Sequence, residues 1–539
     1  PIRATTTNGI VFAATNGSST ITATDDDHGA VAGDFVTLNG AASLGGLVTA
    51  AVLNQEYQIV AVPTADTFTF VAKDTSGTTV TANASDSGNG GSGVDGAYQL
   101  NVGLDSTVLG TGWGAGTWGR GTWDSAATLT NIANILRIWT HDNFGEDLII
   151  NIRDGGIFYW DTSTNANAYD RAVALSAVSG ASSAPTIAKK VLVSDRDRHV
   201  IAFGCDPEDV VGTQDPLLIR FSDQETATTW NATSTNTAGS LRLGSGSEIV
   251  TAIETRQQIL VFTDVSLHAM QFLGPPFTYG INLISENTTI MGPLAAKAVD
   301  DFVFWMGLED FYVYDGRIQK LPCTVKAYVF NDFNLFQKEK VFAALNSSFN
   351  EIWWFYPSAS SDAIDRYVVY NYLEQTWYYG TMARTAWMDR GINDNPIAAG
   401  ADSYLYNHEN GLDDGSTDPA SAITSYIESS QLDIGDGDSY VFVRRLIPDV
   451  TFDGSITASP SASFTLKTRN FPGGAYDNSD ASTITQSEKA STTTVEQFTN
   501  QVHVRLRGRS FALRVGSDGS EVKWRLGSPR VDIRTDGRR

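Results

Sequence analysis

Asp25, Asp26, Asp27 and His28 stand side by side in TDDDHG, placing three carboxylates and an imidazole in one short turn. Such a set could bind a cation. Its spacing matches no EF-hand or zinc pattern, in which intervening residues let the donor atoms converge. The competing reading is a solvated acidic tip. No G-x-S-x-G, P-loop, H-E-x-x-H or C-x-x-C sequence occurs, and the six histidines are scattered. The two cysteines, Cys205 and Cys323, are too few for a disulfide framework. The sequence predicts no catalytic residues, no metal site and no cofactor.

Two further stretches carry side chains suited to carbohydrate chemistry. SDQETATTW (Ser222–Trp230) resembles a sialidase Asp-box, with Ser, Asp and a later aromatic, but it lacks that motif's glycine. Even a complete Asp-box is a structural turn. The tract Trp353, Trp354, Phe355, Tyr356 and then Trp377, Tyr378, Tyr379 could stack on sugars, although aromatics at strand spacing are expected in a core. In GWGAGTWGRGTWDS, tryptophan recurs every five residues, at Trp113, Trp118 and Trp123, with Arg120 among them. Glycine frees the backbone there while tryptophan supplies apolar anchors. The stretch reads as a loop pinned against a neighbouring element, as a subunit contact with Trp113, Trp118, Arg120 and Trp123 as anchors, or as a sugar platform.

The elements that must position these residues read as strands. Of 539 residues, 42% are hydrophobic and 18% charged, and Gly, Ser, Thr, Asn and Asp are abundant, the composition of short strands joined by turns. No run of 18 or more apolar residues and no signal peptide is visible, so no membrane-spanning segment is predicted. The first residue is Pro1. Removal of an initiator methionine or a missing N-terminal piece would each account for it.

Three domains are expected, in an all-β architecture. Residues 1–105 form a small β-barrel or sandwich module, with clean alternation at Thr67–Val71 and a flexible junction at Ser85–Gly93. Residues 106–425 repeat strand pairs ending in an aromatic followed by Asp or Asn, as in GGIFYWD, DFYVYDG, RYVVYNY and SYLYNHENG. This suits the blades of a β-propeller, whose number the sequence leaves open. Residues 426–539 form a β-sandwich platform of antiparallel strands. There Val502, Val504 and Leu506 alternate with His503, Arg505 and Arg507. Its polar side collects Arg505, Arg507, Arg514, Lys523 and Arg525 into a basic face. That face is solvated, docks on an acidic partner, or touches DNA.

Several phrases, taken in order, resemble one family. HGAVAGDFVTLNGAASLGG with NQEYQIVAV resembles an insert module of bacteriophage structural proteins. GWGAGTWGRGTW, THDNFGEDLIINIRDGGIFYWD, TAGSLRLGSGSEIVTAIETRQQILVFTD and DGRIQKLPCTVKAYVFNDFN resemble the tail nozzle, or tail hub, proteins of short-tailed phages, also called packaged-DNA stabilisation proteins. The resemblance runs through most of residues 1–420. It implies a virion protein and not an enzyme: a subunit of a homohexamer below the portal and its adaptor ring, assembled in the host cytoplasm. It also implies tail fibres or spikes as partners, and genomic double-stranded DNA held in the channel and released through it. Relatives have further β sequence before the point matching PIRATT, which would leave one blade incomplete here. The alternative is a propeller-based receptor-binding or polysaccharide-degrading tail protein.

Charge is uneven. The net is −24, yet residues 501–539 hold ten Lys/Arg against four Asp/Glu, leaving −30 on residues 1–500. Acidic surface does not grip phosphate, because contact releases no counterions. A tube through which DNA slides is served by that.

Overall fold

The computed structural model describes residues 5–101, 136–163, 172–274, 277–433, 437–470 and 490–537. Among them the fold is almost entirely β, built of many small antiparallel sheets. The α-helices described are the short turns Ala50–Leu53 and Lys326–Asn331, and no helix there is long and apolar enough to cross a membrane. The chain divides into two units, Pro1–Ile392 with Ala398–Tyr404, and Asn393–Ile397 with Leu405–Arg539.

The first unit opens with two sheets over one core. A five-stranded sheet runs in the order Ala61–Thr64, Thr67–Val71, Thr20–Thr24, Val11–Ala14, Asp86–Asn89. A three-stranded sheet places Phe35–Asn39 between Glu56–Gln58 and Asp95–Gln99. Alternation at Thr67–Val71 sends Phe68 and Phe70 fully inward, where Phe70 meets Tyr57 with ring centroids 4.3 Å apart. The expected junction at Ser85–Gly93 is corrected. Asp86–Asn89 is a strand hydrogen-bonded to Val11–Ala14, because its backbone groups complete the edge of the five-stranded sheet.

Among the described residues, five consecutive four-stranded meanders follow. Each is made of strands adjacent in sequence, and their first strands are Trp139–Phe144, Lys190–Val193, Ile249–Glu254, Ala296–Val299 and Phe342–Asn346. These first strands neighbour one another in chain order, and Arg384–Met388 lies beside the last. Tight turns make the hairpins. Asp300 and Asn350 take φ of 53° and 59°, left-handed values that Asn and Asp tolerate better than β-branched residues. Glu351–Tyr356, the second strand of the fifth meander, is buried along its whole length, so the Trp353–Tyr356 tract is core. Trp354 packs between Phe311, tilted by 51° with centroids 4.9 Å apart, and Trp377, stacked at 6.0 Å. Burying each such ring contributes about 3 kcal/mol. The end of the tract departs from the core expectation: Tyr378 and Tyr379 are exposed on the outermost strand, Thr376–Thr381.

The second unit is a pair of sheets over one apolar core. One sheet runs Ser425–Glu428, Ser510–Ser517, Ser461–Arg469, Ala490–Glu496; the other places Val441–Ile447 between Val502–Gly508 and Arg530–Thr535. Strict alternation in Ser461–Arg469 buries Ala462, Phe464, Leu466 and Thr468. Val502 and Val504 face inward while Arg505 and Arg507 face out, as their alternation predicts.

Candidate functional site

TDDDHG divides. Asp26 and Asp27 are exposed, whereas Asp25 and His28 turn into the core of the N-terminal sheets. Asp25 accepts hydrogen bonds from the Tyr98 hydroxyl and from Thr6 Oγ1 at 2.8 Å, and His28 Nδ1 accepts one from the Ala30 N–H at 3.1 Å. Among the described residues no group of His, Cys, Asp and Glu could hold a metal ion. SDQETATTW is a structural turn. The Asp223 carboxylate accepts from Thr237 N–H at 2.8 Å, Thr237 Oγ1 at 2.7 Å and Gln224 N–H at 3.0 Å, while Trp230 is buried and donates to the Ala227 carbonyl. Burial alone would raise the Asp223 carboxyl, but its donors outweigh that and hold it below the usual carboxylate range. Trp113, Trp118, Arg120 and Trp123 lie outside the described residues.

Four of the five cations of the basic stripe are spread over three sheets, and Lys523 lies outside the strands. Arg505 and Arg507 belong to the three-stranded sheet of the second unit, Arg514 to the longer sheet, and Arg525 to a short ladder with Val450–Thr451. Arg507 Nε meets Asp536 Oδ2 at 2.6 Å and its guanidinium covers the Tyr440 ring at 4.2 Å. Arg514 lies over Tyr426 at 3.9 Å and 3.6 Å from Glu428. Arg505, Lys523 and Arg525 are exposed.

A cluster that the sequence reading missed lies between the first strands of the meanders. Asp142, on the first of them, accepts the Val193 N–H at 2.9 Å on the second. Lys190, on the second, donates to Thr251 Oγ1 at 3.2 Å on the third. Glu254 ends the third strand and accepts the Asp195 N–H at 3.0 Å. Arg153 is buried and donates through Nη1 to the Val250 carbonyl at 2.8 Å. Beside it, Lys189 joins Glu248 at 2.8 Å and Asp154 at 3.1 Å. Asp142 and Lys190 thus each reach from one first strand to the next, and Glu254 on the third reaches back to the turn that follows the second.

Burial sets the electrostatics. Burial pushes the Lys190 ammonium down to about 8; the Asp142 carboxylate opposes this, and the Arg153 and Lys297 charges add to it. Burial pushes the Glu254 carboxyl up to about 7, reinforced by the Asp195 and Asp142 carboxylates. The cavity lined by Glu254, Asp197, Ser194 and Tyr279 measures about 20 Å³, room for one water molecule and far less than a sugar ring needs. Burial also pushes the Cys205 thiol up to about 12, which keeps it in the unreactive form at neutral pH. The cluster can pin sheets together and exchange protons near neutral pH.

No protein-family model matches the chain, and no curated protein does. Among solved structures, the chain is similar to the AfRom2 CNH domain at 10% identity and a TM-score of 0.29, over 54% of this chain and 86% of that one. The N-terminal domain of Nup159 aligns at 7% identity and a TM-score of 0.31, over 50% of this chain and 72% of that one. Phage phi92 endosialidase aligns at 10% identity and a TM-score of 0.18, over 77% of this chain and 59% of that one. At these scores the likeness carries no argument about this chain.

The signal that could have revealed part of the cluster is an ionisable residue inside a largely apolar strand, Lys190 in KVLV and Glu254 in IVTAIE; Asp142 sits in the mostly polar WTHDNF, which gives no such signal. A charge at such a place needs a partner from another element.

Proposed function

We infer that the chain is a structural subunit of a phage tail nozzle: a β-propeller with an N-terminal β module and a β-sandwich platform, assembling as a homohexameric ring around a channel for DNA. The observation that carries this reading is the run of five meanders with neighbouring first strands. It falls in the part of the sequence whose phrases resemble nozzle proteins. Consecutive four-stranded meanders meeting along their first strands are the building plan of a propeller.

Two features support a structural role. The polar groups between first strands are spent on partners within the fold, and the cavity beside Glu254 has room for no more than a water molecule. The net charge of −24 per chain suits a wall past which DNA slides. Sedimentation of the purified chain tests the assembly. A hexamer has six times the 58.1 kDa of one chain. A trimer or a persistent monomer would contradict the reading.

A further inference from the structure

The second unit carries an apolar knob and an apolar pocket on opposite edges of one sheet. The pocket, about 330 Å³, is lined by Ile427, Leu432, Phe511, Leu513, Val515 and Val531. It lies at the edge formed by Ser425–Glu428 and Leu432–Asp433, which both pair with Ser510–Ser517. Its floor, Phe511 and Val515, is buried, while Ile427 and Leu432 are exposed at its mouth. Cavities of about 150 Å³ lined by aliphatic and aromatic side chains accept benzene, so this one has room for a phenyl ring and part of its backbone.

The knob is Phe498. It follows Ala490–Glu496, the strand at the other edge of the same sheet, and is 86% exposed between Gln497 and Thr499. An exposed phenylalanine flanked by polar residues forgoes burial worth about ten-fold or more in a partition equilibrium. Glu496 is exposed at the base of the knob, and Arg525 and Arg530 are exposed next to the pocket residues Leu526 and Val531. The pocket wall also carries Glu428, whose carboxylate lies 3.6 Å from both Lys467 and Arg514, so the cations left beside the pocket complement the knob.

The geometry points to a head-to-tail contact in which Phe498 of one copy enters the pocket of the next. Knob and pocket are different surfaces of the same chain, so the contact is heterologous. Repeated around a closing rotation, it builds a ring. The inference rests on the ring proposed above and names the surface that would close it.

The test uses the full chain, with Phe498→Asp, Phe498→Leu and the pair Phe498→Cys with Ser429→Cys, Ser429 lying on the pocket wall. Phe498→Asp should raise the concentration needed for assembly at least about ten-fold, as expected for a buried aromatic anchor. It should leave the melting temperature of the monomer unchanged, because the side chain is exposed within its own chain. Phe498→Leu should retain assembly. Mild oxidation of the paired variant should yield a ladder of covalent oligomers that neither single variant gives. Assembly undiminished by Phe498→Asp, with no ladder, overturns this contact and leaves the ring standing. An unmodified chain that never assembles overturns both.

Discussion

Lys190 Nζ and Thr251 Oγ1 are separated by 61 positions in sequence and 3.2 Å in space, and their hydrogen bond joins the first strands of the second and third meanders. Thr251 is fully buried, so the ammonium it receives is not available to bulk water at that point. Replacing the hydroxyl by a methyl at constant shape should therefore cost more than removing the charge. We predict that Thr251→Val destabilises the first unit by about 1–3 kcal/mol, while Lys190→Met is close to neutral or stabilising. Urea unfolding of both variants at pH 7 measures the order. The reverse order would show that the charge itself holds the strands.

Glu254 gives a pH dependence with a definite sign. Between its ordinary value of 4.5 and about 7, the folded chain keeps a proton that the unfolded chain has lost. Stability from this group is therefore full at low pH and falls as pH rises through that window. Lys190 acts at higher pH. Between about 8 and 10.5 the unfolded chain holds the extra proton, so stability rises with pH there. Glu254→Gln should raise the melting temperature by a few degrees at pH 8 and leave it little changed at pH 4. Calorimetry showing equal shifts at both values would mean that Glu254 is not held protonated by the fold.

The first unit's aromatic core depends on Trp354. Its ring is fully buried against Phe311 and Trp377, and Nε1 donates to the Ala295 carbonyl at 3.1 Å. Trp354→Ala removes the ring and one of the two donors to that carbonyl, which keeps the Met306 N–H at 3.1 Å. A loss of about 3–5 kcal/mol is expected. Tyr379→Ala, on the exposed outer strand, should cost under about 1 kcal/mol beyond its stacking on Tyr328. Chemical denaturation of the two variants side by side reads the contrast.

Strand character was legible in the sequence wherever one face is buried. Val502–Leu506 and Thr67–Val71 alternate in letters as they do in burial. Trp353–Tyr356 read as core because a run of aromatics buries more surface than an exposed strand can leave in water. The basic stripe was read too simply. Alternation tells which side of its own strand a residue takes, but not which sheet the strand joins, so Arg507 and Arg514 landed on separate sheets with separate acidic partners, Asp536 and Glu428. Lys190 and Glu254 stand out singly in apolar strands, but their grouping with Asp142 was not legible, for a related reason. Its members lie tens of residues apart, and only the neighbouring of first strands brings them together.

The N-terminal sheets have a core of their own, running from Ile10 to Tyr98. Residues 5–101 expressed alone should therefore fold, giving a single cooperative melt. Asp25→Asn within that fragment should lower its stability by about 2 kcal/mol, because the Thr6 and Tyr98 hydroxyls both donate to the buried carboxylate. A fragment without a cooperative transition would show that the rest of the chain is needed to complete its core.

Electron-microscope class averages of the purified full-length chain test the central claim most directly. A nozzle subunit predicts six-fold rings with an open central hole wide enough for a DNA duplex. Trimeric rods, or single particles with no hole at concentrations well above those of assembly, would contradict it.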